Sequence, residues 1–372
     1  MNKKRNYMII FLAAGGFLAY SIGAAFATGQ EMLQYFGAFG PAGLAGCVLT
    51  LILFLILLLG INRDSARTGL MTEDDMFKLY AGKYLGQVYI WFTRLFLALL
   101  VIVMISGAGA TFEQTYGIPS LGGRIILGVI CFVTVLFGLK GIIDIIGRIG
   151  PLIIALVFIV CLYNIFNGEN TWAEGVEFLK NTDLGRASNS WAMASFLYCN
   201  ACLLLQFPFL VALNRNYPGE GKSVLRGLAI GITSFMITAG FTVVAIVKNA
   251  TVLEGVQVPF LTMATRIGAG FGIFYSITIF LGIYTTTTPL IWSTIKVIAP
   301  EKTPVYYISA AVLVVVSIFL GNVIPFSTML GTAMNIAGYL AILLVACMVV
   351  YWVRLKTGKL PDPDKAVTEK TE

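Results

Sequence analysis

Residues 21–31, with the sequence SIGAAFATGQE, decide how this chain folds, because they interrupt a long apolar segment with small and polar residues. Small residues allow helices to pack closely within a membrane, which is one interpretation of this stretch. The other interpretation starts from Thr28-Gly29-Gln30-Glu31, which has the Thr-x-x-Glu pattern of a capping box and marks the start of a new helix. A helix that starts inside a span leaves that span discontinuous. We therefore predict a break near Ile22–Ala27.

The composition around this stretch is that of an all-α polytopic membrane protein. Of the 372 residues, 58% are hydrophobic and only 12% are charged, about half the charge of a soluble domain. The short alternating segments of a membrane β-barrel are absent from the sequence. Ten helical spans are predicted, at about 7–36, 41–61, 85–110, 121–139, 142–166, 188–213, 224–247, 270–298, 305–320 and 325–353. They form a single transmembrane domain, 1–353, followed by a polar tail, 354–372, that we expect to be disordered.

The distribution of Lys and Arg predicts the orientation of the spans. With the N-terminus inside, 20 of the 25 Lys and Arg residues lie on the cytoplasmic side. The five exceptions are Arg124, Lys180, Arg186, Lys248 and Arg266. We expect a multi-pass protein of the cytoplasmic membrane with both termini in the cytoplasm. The net charge of +7 then reflects cytoplasmic loops, and no nucleic-acid partner is expected.

Several chemistries are excluded or disfavoured by residue content. The chain has no histidine, which removes His-based zinc sites and Ser-His-Asp triads. All six cysteines fall in apolar segments, and Cys199-x-x-Cys202 lies within a predicted span, where a redox or metal role is disfavoured. No catalytic constellation is visible. We expect neither an enzyme nor a cofactor other than a bound ion.

A second break is predicted in the sixth span. Asn200 is a polar residue at mid-depth, and Pro208 leaves the carbonyl of Leu204 without its helical partner. A proline kink with an inter-helix Asn hydrogen bond is the alternative. Interrupted spans at matching positions in two halves, about 7–166 and 188–353, are typical of inverted-repeat transporters.

The stretch Gly23–Glu31 resembles the first-helix signature of the YkvI-like membrane proteins. These belong to the amino acid–polyamine–organocation superfamily, so the resemblance implies the leucine-transporter fold: ten helices in a 5+5 inverted repeat, with helices 1 and 6 discontinuous. It also implies secondary transport by alternating access. Superfamily members bind a substrate carboxylate with backbone amides at a Gly-x-Gly. This chain departs from that pattern, because Gly23-Ala24-Ala25 stands in its place.

The resemblance implies a small organic solute, such as an amino acid or related zwitterion, bound at midplane. The residues expected to bind it are Gly23, Ala24, Phe26, Ala27, Phe196, Tyr198, Asn200 and Asn335. It also implies a sodium site between carbonyls of span 1 and hydroxyls of span 8, where Pro289 frees the carbonyl of Thr285. The expected sodium ligands are Ile22, Ala25, Thr285, Thr287 and Thr288. The alternative is that these threonines bond only to carbonyls of their own helix.

Three functional alternatives stay open at this point. Glu31, an ionisable residue within a span, is a candidate to carry a proton or to face a substrate amine, as well as to cap a helix. Proton-coupled relatives carry a lysine on the fifth helix, and Pro151–Phe166 has none. A nutrient-sensing receptor subunit of the same fold would bind a solute without net transport, and a passive pore would conduct without saturation.

Overall fold

The computed structural model describes residues 3–21, 24–70, 72–136 and 140–360. A helix lies at the position of every predicted span, with ends that differ by a few residues in most cases. The helices are α1 Lys3–Ser21, α2 Ala24–Thr28, α3 Gln30–Tyr35, α4 Pro41–Thr68, α5 Glu73–Tyr116, α6 Ser120–Leu136, α7 Lys140–Phe166, α8 Trp172–Asn181, α9 Trp191–Asn216, α10 Gly221–Val247, α11 Pro259–Thr265, α12 Ala269–Lys296, α13 Pro304–Leu320 and α14 Phe326–Lys356.

Six of the helices in the described part are long and apolar enough to cross a membrane. They are α4, α5, α9, α10, α12 and α14, and shorter apolar helices lie at Ser120–Leu136, Leu152–Phe166 and Pro304–Leu320. Exposed large apolar side chains occur on many of these helices, as expected where a surface faces lipid. The chain is therefore an all-helical membrane protein.

The first predicted span contains an interruption at Gly29, between α2 and α3; of the predicted break at Ile22–Ala27, Ile22 and Gly23 lie outside the described residues and Ala24–Ala27 are helical. α2 has only five residues, and Gly29, between α2 and α3, has a φ of 80°. This left-handed conformation is accessible to glycine without the steric cost of a Cβ. An added Cβ would also lie 2.4 Å from Cδ1 of Phe260, on α11. Gly29 is therefore required both by the backbone and by close packing.

The predicted interruption of the sixth span is wrong, because α9 is one continuous helix from Trp191 to Asn216 that contains Pro208. The Asn200 amide nitrogen donates to the carbonyl of Gly338 on α14, at 3.3 Å, which is the inter-helix bond of the alternative interpretation. Pro208 removes one backbone hydrogen bond from α9. A helix that packs against neighbouring helices tolerates that loss.

The segment between α7 and α9 contains the amphipathic helix α8. Thr171 and Glu174 form a capping box: the Thr171 hydroxyl accepts from the Glu174 amide at 3.4 Å, and the Glu174 carboxylate accepts from the Thr171 amide at 2.8 Å. The hydrogen bond from the Thr171 backbone lowers the pKa of the Glu174 carboxyl. The Thr-x-x-Glu pattern at 171–174 therefore marks the start of a helix.

A buried carboxylate joins three segments at the predicted cytoplasmic ends of the spans. Asp64, on α4, is 2% exposed, and its Oδ2 accepts from the Tyr80 hydroxyl at 2.9 Å and from the Trp352 indole nitrogen at 2.5 Å. Arg63 lies 3.3 Å from the other oxygen. The Trp352 ring packs on Gly60, where an added Cβ would lie 2.4 Å from it. α4, α5 and α14 are thus linked at this end.

Candidate functional site

A small internal cavity lies beside the interruption of the first span. Its walls come from α1, α2 and α3 and from α4, α5, α9, α10, α12 and α14. The lining side chains are Tyr20, Ser21, Ala25, Glu31, Phe54, Leu100, Met104, Tyr198, Cys202, Leu205, Gln206, Phe235, Thr286, Leu290, Leu330 and Met334. The space open to the centre of a water molecule is about 30 Å³, room for one or two waters. A larger ligand would require the walls to move apart.

Glu31 is the charged residue of this cavity. It is 5% exposed, and no Lys or Arg is among the described lining residues. The Tyr198 hydroxyl, which also lines the cavity, is buried and has no hydrogen-bond partner in the described part of the chain. An uncompensated charge in an apolar environment is costly, so this carboxyl requires a proton or a cationic partner.

The capping box predicted at Thr28 and Glu31, which would give Glu31 a purely structural role, does not form. The residue that precedes α3 is Gly29, and no side chain caps the helix. The Thr28 hydroxyl donates to the Ala25 carbonyl at 3.0 Å and accepts from the Gln30 amide at 3.4 Å. The capping-box prediction at Thr28 and Glu31 is therefore wrong, because the left-handed Gly29 changes the direction of the chain between them.

A second polar group in the cavity is the Gln206–Ser21 pair. Gln206, on α9, is 2% exposed, and its Nε2 donates to the Ser21 hydroxyl at 2.6 Å. Its Oε1 has no described partner. A buried acceptor without a partner is a position where a ligand donor would be stabilised. Glu31, Gln206, Ser21 and Tyr198 are thus among the polar groups that line this mainly apolar cavity.

The predicted binding residues of span 1 divide into three groups. Gly23 and Ile22 lie outside the described residues, and Ala24 is the first residue of α2. Phe26 is buried against Phe235, with ring centroids 4.8 Å apart. The Ala27 carbonyl accepts from the Tyr275 hydroxyl of α12 at 3.0 Å. Phe26 and Ala27 are therefore fixed in the packing around the cavity rather than among its lining residues.

Of the other predicted binding residues, Tyr198 lines the cavity, whereas Phe196, Asn200 and Asn335 do not. Asn335 accepts from the Tyr35 hydroxyl at 2.8 Å and donates to the Ala187 carbonyl at 2.9 Å. It therefore ties α3 and the segment before α9 to α14, and it borders a separate depression of about 380 Å³.

The span 8 threonines bond within their own helix. Thr285 donates to the Gly282 carbonyl at 2.9 Å, Thr287 to Ile283 at 2.7 Å and Thr288 to Tyr284 at 2.8 Å. Such a hydroxyl keeps lone pairs that can coordinate a cation. Thr288 also lies 3.5 Å from the sulfur of Cys131 on α6. The threonine that lines the cavity with Ala25 is Thr286.

Sequence reasoning missed most of the cavity wall. Leu100, Met104 and Leu330 are apolar residues within apolar helices, so no local signal separates them from lipid-facing or core positions. Gln206 was detectable, because an amide in an apolar span is a functional candidate in the same sense as Asn200.

No protein-family model matches the chain. It is 28% identical over 338 residues to the uncharacterized protein YyaD of Bacillus subtilis (strain 168), covering 89% of this chain and 93% of YyaD. It is 23% identical over 332 residues to the uncharacterized membrane protein YkvI of the same organism, covering 88% and 91%. YkvI is named as a membrane protein, in agreement with the apolar helices of this chain, and neither name states an activity.

The solved structures that resemble this chain are transporters rather than enzymes. A manganese transporter from Eremococcus coleocola matches with a TM-score of 0.59 and 13% identity, covering 95% of this chain and 81% of its own. MhsT with L-phenylalanine gives 0.58 and 16%, covering 94% and 89%. A Na⁺-coupled sialic acid symporter gives 0.57 and 11%, covering 90% and 74%. The chain has the leucine-transporter fold, and three such different ligands show that this fold does not determine the cargo.

Proposed function

We propose that this chain is a secondary transporter that moves a small organic solute with an amino group, such as an amino acid or related zwitterion, by alternating access. The observation that carries the proposal is Glu31, a buried carboxylate in a cavity whose described lining residues include no basic side chain. An ammonium group would supply the missing counter-charge through a charge-assisted hydrogen bond. The apolar walls formed by Leu100, Met104 and Leu330 suit the rest of a small solute.

The proposal includes the architecture implied by the fold. Ten spans would form two inverted halves, 7–166 and 188–353, in one domain, with both termini in the cytoplasm. Support comes from the divided first span and from the resemblance to transporters along most of the chain. Because α9 is continuous, the moving element at the cavity would be the α1–α3 segment.

We propose sodium as the coupling ion, bound by carbonyls of Ile22 and Ala25 and by oxygens of Thr285, Thr287 and Thr288. Support comes from hydroxyls that keep free lone pairs. Proton coupling through Glu31 is the second candidate, because protonation would also relieve its uncompensated burial.

A thermal-shift screen tests solute and ion together. Purified protein is heated with amino acids, amines and betaines, each in sodium and in potassium at equal ionic strength. We expect one amine-bearing solute to raise the melting temperature in sodium and to do so less in potassium, because a ligand that binds only the folded state stabilises it. Manganese is included in the screen. Stabilisation by manganese alone, or by anions and not by amines, would contradict the proposal.

The sodium site is tested by removing two hydroxyls. Thr287→Ala with Thr288→Ala is expected to abolish the difference between sodium and potassium while solute binding at Glu31 persists. The matched control is Thr278→Ala on the same helix, whose buried hydroxyl also donates to its own helix, at the Phe274 carbonyl. A double variant with the sodium response of the wild type would refute the site. Flux of the identified solute into proteoliposomes separates a transporter from a receptor.

A further inference from the structure

Four aromatic residues are among those that line the cavity at Glu31. They come from α1, α4, α9 and α10 and are Tyr20, Phe54, Tyr198 and Phe235. Three of them, Phe54, Tyr198 and Phe235, are each at most 1% exposed. Glu31 is the only charged residue among the described lining residues. A cation in this cavity would therefore lie between one carboxylate and several aromatic rings.

Three of the four rings are held by contacts with other rings. The centroids of Phe54 and Tyr198 lie 6.1 Å apart, with the two rings tilted by 40°. Phe235 lies 4.8 Å from Phe26 and 6.3 Å from Phe17, again between ring centroids. Because these contacts restrict the rings before a ligand arrives, binding does not have to order them, and less free energy is lost on association.

This set of groups suits an ammonium ion that carries methyl groups. Aromatic rings attract cations through the partial negative charge on their faces, and sites built from several rings recognise quaternary ammonium groups. A primary ammonium has three N–H donors, and each of them needs an acceptor once it leaves water. A quaternary ammonium has no N–H, so it requires only a counter-charge and a surface that packs against methyl groups. Glu31 and the aromatic wall provide these two features.

Two flexible side chains allow the cavity to enlarge for such a group. The space open to the centre of a water molecule is only about 30 Å³. Met104, on α5, and Met334, on α14, also line the cavity and are buried. Methionine is unbranched and adapts its shape to irregular spaces. Rotation of these side chains would therefore make part of the room, with less movement of the helices.

We propose that the cationic group of the cargo is a methylated ammonium, bound by the Glu31 carboxylate and by the aromatic residues of the cavity wall. The inference rests on the proposed function, because it names the cation that Glu31 binds in the transporter. Choline-like alcohols and betaines are small solutes of this class. Glu31 supplies the counter-charge, and the rings distinguish methyl groups from N–H groups.

Two pairs of solutes that differ in N-methylation test the proposal on the full-length protein. Titration calorimetry compares choline with ethanolamine, and glycine betaine with glycine. We expect the methylated member of at least one pair to bind about tenfold or more tightly than its partner, because it contacts several rings. Equal or tighter binding of the unmethylated member, or no binding of either methylated solute, would overturn the proposal.

Removal of one ring tests the role of the aromatic wall. Phe54→Leu keeps an apolar side chain and should weaken binding of the methylated solute about tenfold. The matched control is Phe77→Leu, at a residue that is 1% exposed, stacks on Phe207 at 4.2 Å and does not line the cavity. It should bind as the wild type does. Equal losses in both variants would show a general packing effect and overturn the role of the rings.

Two further variants complete the test. Tyr20→Leu removes the ring that is only partly buried, so it replaces Phe54→Leu if that variant does not fold. Glu31→Gln separates this inference from the transport proposal. Amines that bind only when Glu31 is present, regardless of methylation, would support the transport proposal and overturn this inference. If no cationic solute requires Glu31, both are wrong.

Discussion

Glu31→Gln is expected to abolish solute-induced stabilisation and to lower solute affinity by about 100-fold or more. The substitution keeps the shape of the side chain and removes its charge, so an ammonium group would enter an apolar cavity without a counter-ion. Loss of one partner from a buried charged pair costs about 2–5 kcal/mol. The unliganded protein should be equally or more stable, because a buried charge without a basic partner among the described lining residues has been removed.

The control for this variant is Glu113→Gln. Glu113 is an exposed carboxylate on α5, does not line the cavity and should have no effect on binding. Titration calorimetry or the thermal shift gives the affinity, and uptake against pH separates the two coupling ions. Unchanged solute affinity in Glu31→Gln would contradict the proposed site. Intact solute binding together with uptake that no longer depends on pH would assign Glu31 to proton transfer instead.

Gly29→Ala is expected to be the most destabilising single-methyl addition near the site, at about 2–5 kcal/mol. The left-handed backbone costs an alanine about 1–2 kcal/mol, and overpacking against Phe260 adds about 1–3 kcal/mol. Relief of the clash would also displace α3, which carries Glu31. Reversible denaturation in detergent should show the loss of unfolding free energy, and solute affinity should fall with it.

The control is Gly117→Ala, at a glycine with a φ of 65° and no atom within 4 Å of an added Cβ. This variant measures the loss of unfolding free energy that the left-handed backbone alone causes in an alanine, expected to be about 1–2 kcal/mol. Combining Gly29→Ala with Phe260→Leu in a double-mutant cycle measures the steric part. Equal destabilisation by the two Gly→Ala changes would show that contact with Phe260 contributes nothing.

Two Thr-x-x-Glu patterns show how well local sequence predicts the start of a helix in this chain. The pattern at 171–174 forms a capping box, whereas the same pattern at 28–31 does not. The difference is Gly29, which has a left-handed conformation and packs so closely against Phe260, far away in the sequence, that no Cβ would fit. The capping box on which the predicted interruption of the first span depended is absent, and the described interruption lies at Gly29 rather than within Ala24–Ala27.

Long-range packing accounts for what the sequence did not predict. Composition and hydrophobic segments identified the helices, because lipid requires every spanning backbone to satisfy its own hydrogen bonds. Whether Asn200 ends a helix or bonds to its neighbour depends on the Gly338 carbonyl, 138 residues away. The choice between Thr286 and Thr288 as the cavity-facing hydroxyl likewise depends on how α12 is rotated about its axis, which four adjacent threonines do not specify.

In the proposed transporter, the contacts of Asp64 with Tyr80 and Trp352 would limit ion leakage through the protein when no solute is bound. Moving α4 away from both α5 and α14 at this end would remove two hydrogen-bond donors from the carboxylate, and in the proposed mechanism bound cargo would supply the free energy for that movement. Without bound solute, openings that admit water at this end, the predicted cytoplasmic one, would be rare. A planar bilayer that contains many copies of this protein would then have a low ionic conductance. Asp64→Ala is expected to raise that conductance.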